Sequence, residues 1–428
     1  MTILSKKDVI ITVLLGLLYS ILYDYTYAII IATDFAYDGH RYIETSILNY
    51  TVYCILAVLP LLFYKGLVGI SAAYSFFAYI FMYVPSLHTL FFQYEKTFLV
   101  LSYTFVFVVS MVMFFRTDHA SQNTLQKKNN IQFRWLEIVS YFLILIVLLL
   151  NFHNIQWVNF FTDRSSLYEL REDLEFGGGA IGKYLFCWVR NVFVPVLLVT
   201  YVTKRKLIKC SMVFFVYIIL YMIDKQKITI VLPFVIVIFY ELIKLSPERV
   251  YKYFHTFIIS CMVLASAFCI FIKDLGEIGY GIAVLFVYRT QCIAGIQTRR
   301  YIDFFDFDKH EYTYFSHISI VNKIFGNYPY KESLGYTVSY GGGNSNASFW
   351  SMDGIAAGGP LACLLISILF VVIKKELTRH CDSNYLIAYM VIILPTVAYF
   401  TNVSLFTSLF TGGIMLLIII FKYVNIKF

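Results

Sequence analysis

The sequence predicts an all-α polytopic membrane protein with about twelve transmembrane helices and two large extracytoplasmic loops. Three observations predict it. Of the 428 residues, 60% are hydrophobic and only 14% are charged, whereas about a quarter of a soluble domain is usually charged. The apolar residues come in successive runs near the length of about twenty that crosses a bilayer at ~1.5 Å per residue. The Lys and Arg gather in short connections between those runs, where charge orients a membrane protein.

In chain order the expected spans are 8–24, 46–64, 67–87, 97–115, 136–156, 184–202, 210–223, 228–245, 254–273, 353–373, 384–400 and 404–421. The first follows a basic start and leads into further spans without a small-residue cleavage site, so it is expected to be retained. Asp24 interrupts it, and the run at 210–223 is the shortest. Alternating the connections from a cytoplasmic N-terminus puts Lys6, Lys7, Lys65, the 116–134 loop, Lys204-Arg205-Lys206, the 244–252 segment, Lys374, Lys375 and Lys422 on one side. That register obeys the positive-inside rule and makes both termini cytoplasmic. The chain reads as one integral membrane domain over 1–428, with outer loops at 157–183 and 274–352 forming the candidate active site.

Composition excludes several classes. The eight cysteines lie mostly inside apolar runs with no CxxC spacing, so they read as small buried hydrophobes and not as disulfides or metal ligands. The net charge of +8 belongs to the orienting loops and does not indicate nucleic acid. No His or carboxylate cluster has metal-ligand spacing, and no cofactor is expected.

The outer loops and the tight turn Asp224-Lys225-Gln226-Lys227 hold Arg164, Arg171, Lys225, Lys227, Arg289, Arg299 and Arg300. Cations set against the orientation rule suggest an anionic ligand at the outer face, since guanidinium matches phosphate oxygens in pairs and stays charged beside hydrocarbon. Long outer loops also escape the positive-inside count and can simply solvate such charges. In the first loop, Asp163 or Ser165 can cap a short helix over 167–175 before Gly177-Gly178-Gly179; it reads equally as a membrane-surface cover or a solvated helix. The second loop has no run apolar enough for a confident span. Its apolar stretch 282–288 ends at Arg289 and is expected to be re-entrant or interfacial. Many Tyr and His follow, residues suited to sugar stacking or to an interfacial aromatic belt.

The segment Arg289-Thr290-Gln291-Cys292, then Tyr301-Ile302-Asp303-Phe304-Phe305, then Gly343-Asn344-Ser345-Asn346-Ala347-Ser348-Phe349-Trp350-Ser351-Met352-Asp353-Gly354 before Gly358-Gly359 resembles the bacterial O-antigen or capsule repeat-unit polymerases, relatives of the O-antigen ligases. As architecture the likeness covers most of the chain, and as a residue pattern it covers 289–359. The basic turn Lys225–Lys227 is similar in position to a basic residue that the ligases place between two spans. Thr290 and Gln291 depart from the usual apolar pair, lysines replace arginine in the turn, and Ser345 stands near where the ligases have histidine.

The resemblance implies a glycosyl transfer at the outer leaflet of a bacterial inner membrane. The donor and the acceptor would be undecaprenyl-diphosphate-linked oligosaccharides, with membrane lipids and a chain-length regulator protein as further partners. Arg289, Lys227 and Arg164 are assigned to the diphosphate, with Arg171, Arg299, Arg300 and Lys225 as helpers, because cations stabilise charge building on the leaving group. Metal is then not required. Asp353, or else His317, is expected to be the base for the acceptor hydroxyl, although a carboxylate at a helix N-terminus also serves the helix dipole and a loop histidine is often only solvated. Asn344, Asn346 and Tyr301 are expected to contact sugar; the glycines before Asn344 also fit a plain turn. Two alternatives share the donor: an O-antigen ligase, and a flippase or transporter for lipid-linked sugar. The transporter predicts charges inside the spans, whereas these runs read as nearly charge-free.

Overall fold

The computed structural model describes residues 4–118, 131–159, 170–171, 174–272, 274–340, 344–382 and 385–426. The fold is all-α; among the described residues the strands are the two-residue parallel pair Ile131–Gln132 and Val424–Asn425. Eleven helices among the described residues are long and apolar enough to cross a membrane, the signature of a multi-pass membrane protein.

Most expected spans have a helical counterpart, with four informative differences. Asp24 does not end the first helix, which runs Lys6–Asp34; Asp24 is buried and accepts a 2.9 Å bond from His88 Nε2, so the aspartate is neutral to the helix because it is paired. The second apolar stretch, Ile47–Phe63, is shorter than a standard span, and its last residues, Leu59–Phe63, tighten into a 3₁₀ turn around Pro60. Within the expected outer loop, Glu277–Phe307 forms one helical stretch of 31 residues, about 45 Å at the usual rise. Arg289 interrupts its apolar part, and Arg299 and Arg300 lie near its end. The expected span 384–400 is instead two short helices, Leu386–Ile392 and Leu394–Phe400.

Six π-helical turns interrupt the described helices, at Tyr27–Ile31, Tyr79–Tyr83, Val189–Phe193, Val284–Cys292, Asp303–Phe307 and Trp350–Ile355. Such turns widen the backbone and recur at functional sites. Here Arg190, Arg289, Asp306 and Asp353 each sit in one.

The chain forms two compact units. The first comprises Met1–Ala120, Glu248–Lys375 and Phe400–Leu405. Its core is aromatic: Trp350 is fully buried, stacks on Phe107 at 4.6 Å and donates its indole N–H to Ser367 Oγ at 2.9 Å. A hydroxyl chain, Ser86 to Thr298 at 2.8 Å and Thr298 to Ser351 at 3.2 Å, fixes the Glu277–Phe307 helix between the Ile70–Phe92 and Trp350–Arg379 helices. That last helix is broken at Gly358 and Gly359, where Gly359 takes the left-handed φ of 67°; Pro360 then starts the next turn with no N–H to satisfy. Lys374 is buried against Asp118 at 2.7 Å and Ser75 Oγ at 2.8 Å, so this lysine anchors the helix and does not simply face the cytoplasm as an orienting charge.

The second unit comprises Ser121–Pro247, Glu376–Tyr399 and Phe406–Phe428. It contains the helices Phe133–Leu150, Gly179–Thr203, Leu207–Asp224 and Lys227–Leu245, and Arg190 of the second reaches the 224–227 turn between the last two.

His40, in the first unit, gives the fold a measurable acid sensitivity. It is buried, bonds Tyr27 Oη through Nδ1 at 2.7 Å, and burial lowers its pKa from 6.5 to about 4, with Asp38 opposing and Arg300 and Arg299 reinforcing. The unfolded chain therefore takes up this proton first, and stability is lost as pH falls from about 6.5 toward 4. Thermal unfolding in detergent should show that loss, of order 3 kcal/mol at full protonation. A His40→Gln variant should show a shallower acid slope; an identical slope would contradict the assignment.

Candidate functional site

In the second unit, a cavity of about 400 Å³ is lined by Arg171, Lys183, Arg190, Asp224, Gln226 and several apolar side chains including Phe176, Phe186 and Cys187. Two glycines let the chain reach it. A Cβ on Gly177 would lie 1.8 Å from the Leu150 carbonyl, and one on Gly182 would lie 1.8 Å from the Gly177 carbonyl. Only glycine lets the start of the Gly179–Thr203 helix close against the end of the preceding helix.

Arg190 forms the floor of the cavity. It is 7% exposed, and its Nη1 donates to Asp224 Oδ2 at 2.8 Å and Gln226 Oε1 at 2.9 Å, while Nε donates to Asn191 Oδ1 at 3.1 Å. Asp224 is held in turn: Oδ1 accepts the Gln226 N–H at 2.9 Å and Oδ2 accepts Thr229 Oγ at 2.7 Å. The carboxylate thus ends one helix, starts the next and neutralises one arginine. Arg171 Nη2 donates to the Lys225 carbonyl at 2.6 Å, which ties the segment before the glycines to the basic turn. Lys225 closes the Leu207–Asp224 helix at a φ of 54°, in the left-handed region. It is buried, and that burial lowers its pKa, with Asp224 opposing. Among the described residues, three cations and one carboxylate line this cavity.

The first unit holds a second cavity of about 220 Å³, lined by Asp38, Gly39, Arg299, Arg300, Asp303, Tyr340 and neighbours. Here the charges match. Arg300 Nη2 donates to Asp38 Oδ1 at 2.5 Å and Nη1 to Ser345 Oγ at 3.1 Å. Arg299 pairs with Asp303 at 3.1 Å and also donates to the Gly39 carbonyl. Tyr94 Oη reaches Asp303 Oδ1 at 2.6 Å, and Tyr288 Oη donates to Asp38.

The candidate residues therefore separate. Arg171 lines the first cavity, whereas Lys225 and Lys227 flank it in sequence without lining it. Arg299 and Arg300 line the second with carboxylate partners already in place. Arg289 is exposed on the π turn Val284–Cys292 and lines neither cavity. Arg164 and Gly341–Gly343 lie outside the described residues. Asn344 and Asn346 are exposed, as sugar contacts require. Tyr301 is not: it is fully buried and donates its hydroxyl to the Ser345 carbonyl at 3.2 Å, a strut between helix and loop.

Asp353 and His317 do come together, but not at a wet helix mouth. His317 Nε2 meets Asp353 Oδ1 at 3.1 Å and Nδ1 meets Thr313 Oγ1 at 2.8 Å. Asp353 Oδ2 accepts the Leu405 N–H at 2.5 Å, and the two side chains are 4% and 0% exposed. A nearby carboxylate is more open: half-buried Asp306 accepts Tyr103 Oη at 2.7 Å and Tyr312 Oη at 2.5 Å, beside the Gly359 break.

Sequence reasoning passed over Lys183 and Arg190. The signal for Arg190 was an arginine inside an otherwise apolar run, by itself a pointer to function. The expectation of nearly charge-free spans is corrected by Asp24, His88, Arg190 and Asp224, all buried and paired within helices long enough to span.

Comparison with known protein families, curated proteins and solved structures finds no match.

Because Asp224 is buried with Arg190 as its ionic partner, Arg190→Ala should destabilise the protein by roughly 3–5 kcal/mol in a chemical-unfolding measurement. Removing both charges, as Arg190→Met with Asp224→Leu, should recover most of that loss. Equal stability of wild type and Arg190→Ala would contradict the pairing.

Proposed function

We propose that this chain is a glycosyltransferase that polymerises polyprenyl-diphosphate-linked oligosaccharide repeat units at the outer leaflet of a bacterial inner membrane, with both termini cytoplasmic. The observation that carries the reading is the cavity that brings Arg171, Lys183 and Arg190 together beside apolar side chains. Arginines already matched by carboxylates, as in the second cavity, have less to offer a new anion. A diphosphate suits a site that brings three cationic side chains together, and apolar walls beside it suit the start of a lipid chain.

The acceptor hydroxyl oxygen attacks the anomeric carbon of the donor, and the bond from that carbon to the diphosphate oxygen breaks. The lipid diphosphate leaves with the electron pair, and Lys183, Arg171 and Arg190 stabilise the charge it gains. The acceptor proton goes to a carboxylate. Asp353 and His317, shielded and bonded to each other, hold the 313–317 turn against the Trp350–Ile355 turn. Metal is not needed in this scheme.

The charged groups buried in the spans also favour a second reading, a flippase for lipid-linked oligosaccharide. One reconstitution separates the two, and a ligase from both. With a lipid-diphosphate-linked repeat unit and chelator present, the polymerase reading predicts a ladder of longer glycans. Lys183→Gln should slow ladder growth about a hundredfold, while Lys225→Gly, which suits the left-handed turn and removes a charge outside the cavity, should leave it near wild type. Transbilayer movement without a ladder would overturn the reading in favour of transport. Transfer only when a lipid-core acceptor is added would favour the ligase.

A further inference from the structure

The segment after the Glu277–Phe307 helix carries an open groove of about 350 Å³ lined by Tyr330, Lys331, Glu332, Tyr336, Thr337 and Tyr340. Its volume is at the low end of the roughly 300–1,000 Å³ of small-molecule sites. It adjoins the Arg299 and Arg300 cavity, because Tyr340 lines both.

Two of the three tyrosines, Tyr330 and Tyr340, are held by hydrogen bonds and ring contacts. Tyr340 is 69% exposed, yet its hydroxyl donates to Asp308 Oδ2 at 2.6 Å and its ring packs on Phe304 at 5.6 Å. Tyr330 donates to the Glu311 carbonyl at 2.5 Å and meets the same Phe304 at 5.8 Å. Phe304 is buried and stacked on His310 at 3.8 Å, so one ring anchors both. Tyr336 is 40% exposed on the short Leu334–Val338 helix. Aromatic faces held in advance lose little conformational freedom when something stacks on them.

The charges select the ligand class. The groove has one lysine and one glutamate, and the adjoining cavity two arginines and two aspartates. Neither has a net charge, so neither selects an anion. Both are dense in hydrogen-bond donors and acceptors next to aromatic faces. That combination suits a neutral, polyhydroxylated ring with one C–H face for stacking and hydroxyls around its edge.

We infer that the groove formed by Tyr330, Tyr336 and Tyr340 is a binding subsite for a neutral oligosaccharide, with Lys331 and Glu332 bonding hydroxyls at its rim. The inference deepens the proposed function and rests on it for the role of the glycan as acceptor or growing chain. A tyrosine cluster that only marks a membrane interface would bind lipid and no free sugar.

The test is an array of immobilised neutral oligosaccharides probed with the full-length protein in nanodiscs. Wild type should retain at least one glycan. Tyr336→Ala and Tyr340→Ala should each weaken it about tenfold or more, and Tyr340→Phe, which keeps the ring face, by no more than about threefold. Lys183→Gln, in the other unit, should not change it. Elution volume and helical content of each variant show that it is folded. A wild type that binds no glycan, or alanine variants that bind as wild type does, would overturn the inference. Glycan binding without any ladder in the reconstitution would leave the groove standing and remove the polymerase reading. A ladder with binding unaffected by the tyrosine variants would do the reverse.

Discussion

A charge inside hydrocarbon is tolerated only when matched, and that constraint explains the arrangement of polar side chains in both units. Asp24 lies against His88, Arg190 against Asp224, and Lys374 against Asp118. Each pair joins two separate segments of the chain, and each is shielded from solvent. The cavity of the second unit matters because three cations, Arg171, Lys183 and Arg190, line it together with Asp224. Cations clustered beside apolar walls suit an amphiphilic anion.

Backbone irregularity places these groups. A regular α-helix would turn Arg190 elsewhere; the π turn Val189–Phe193 rotates it toward Asp224 across the neighbouring helix. The Asp303–Phe307 turn likewise presents Asp306 to two tyrosine hydroxyls contributed by Tyr103 and Tyr312. At Gly358 and Gly359 the helix opens just where Tyr103, Tyr312 and Asp306 converge, and any side chain at Gly359 would strain its left-handed backbone.

The sequence made the helices readable because about twenty apolar residues in a row admit few structures in lipid. It was less informative where apolar length and local geometry disagree. The stretch around Arg289, Arg299 and Arg300 looks like a loop by composition, yet folds as one long helix because its polar residues find partners in Asp38, Asp303, Gly39 and Ser345. The tyrosine-rich turn after it was readable as sugar-compatible, but which rings face outward depended on packing: Tyr301 points inward and Tyr340 outward. For the cations, sequence gave the loops that carry them and not their company. Arg171 emerged as a cavity residue; Arg299 and Arg300 proved to be charge-matched; Arg190 and Lys183 were hidden in an apolar run and behind three glycines.

The central claim is that the second unit's cavity holds a lipid diphosphate through Arg171, Lys183 and Arg190. Titrating the protein in nanodiscs with undecaprenyl diphosphate that carries no sugar tests it most directly. The account predicts saturable binding that weakens with added salt and falls about tenfold or more in Lys183→Gln. Equal affinity in wild type, Lys183→Gln and Arg171→Gln would contradict it.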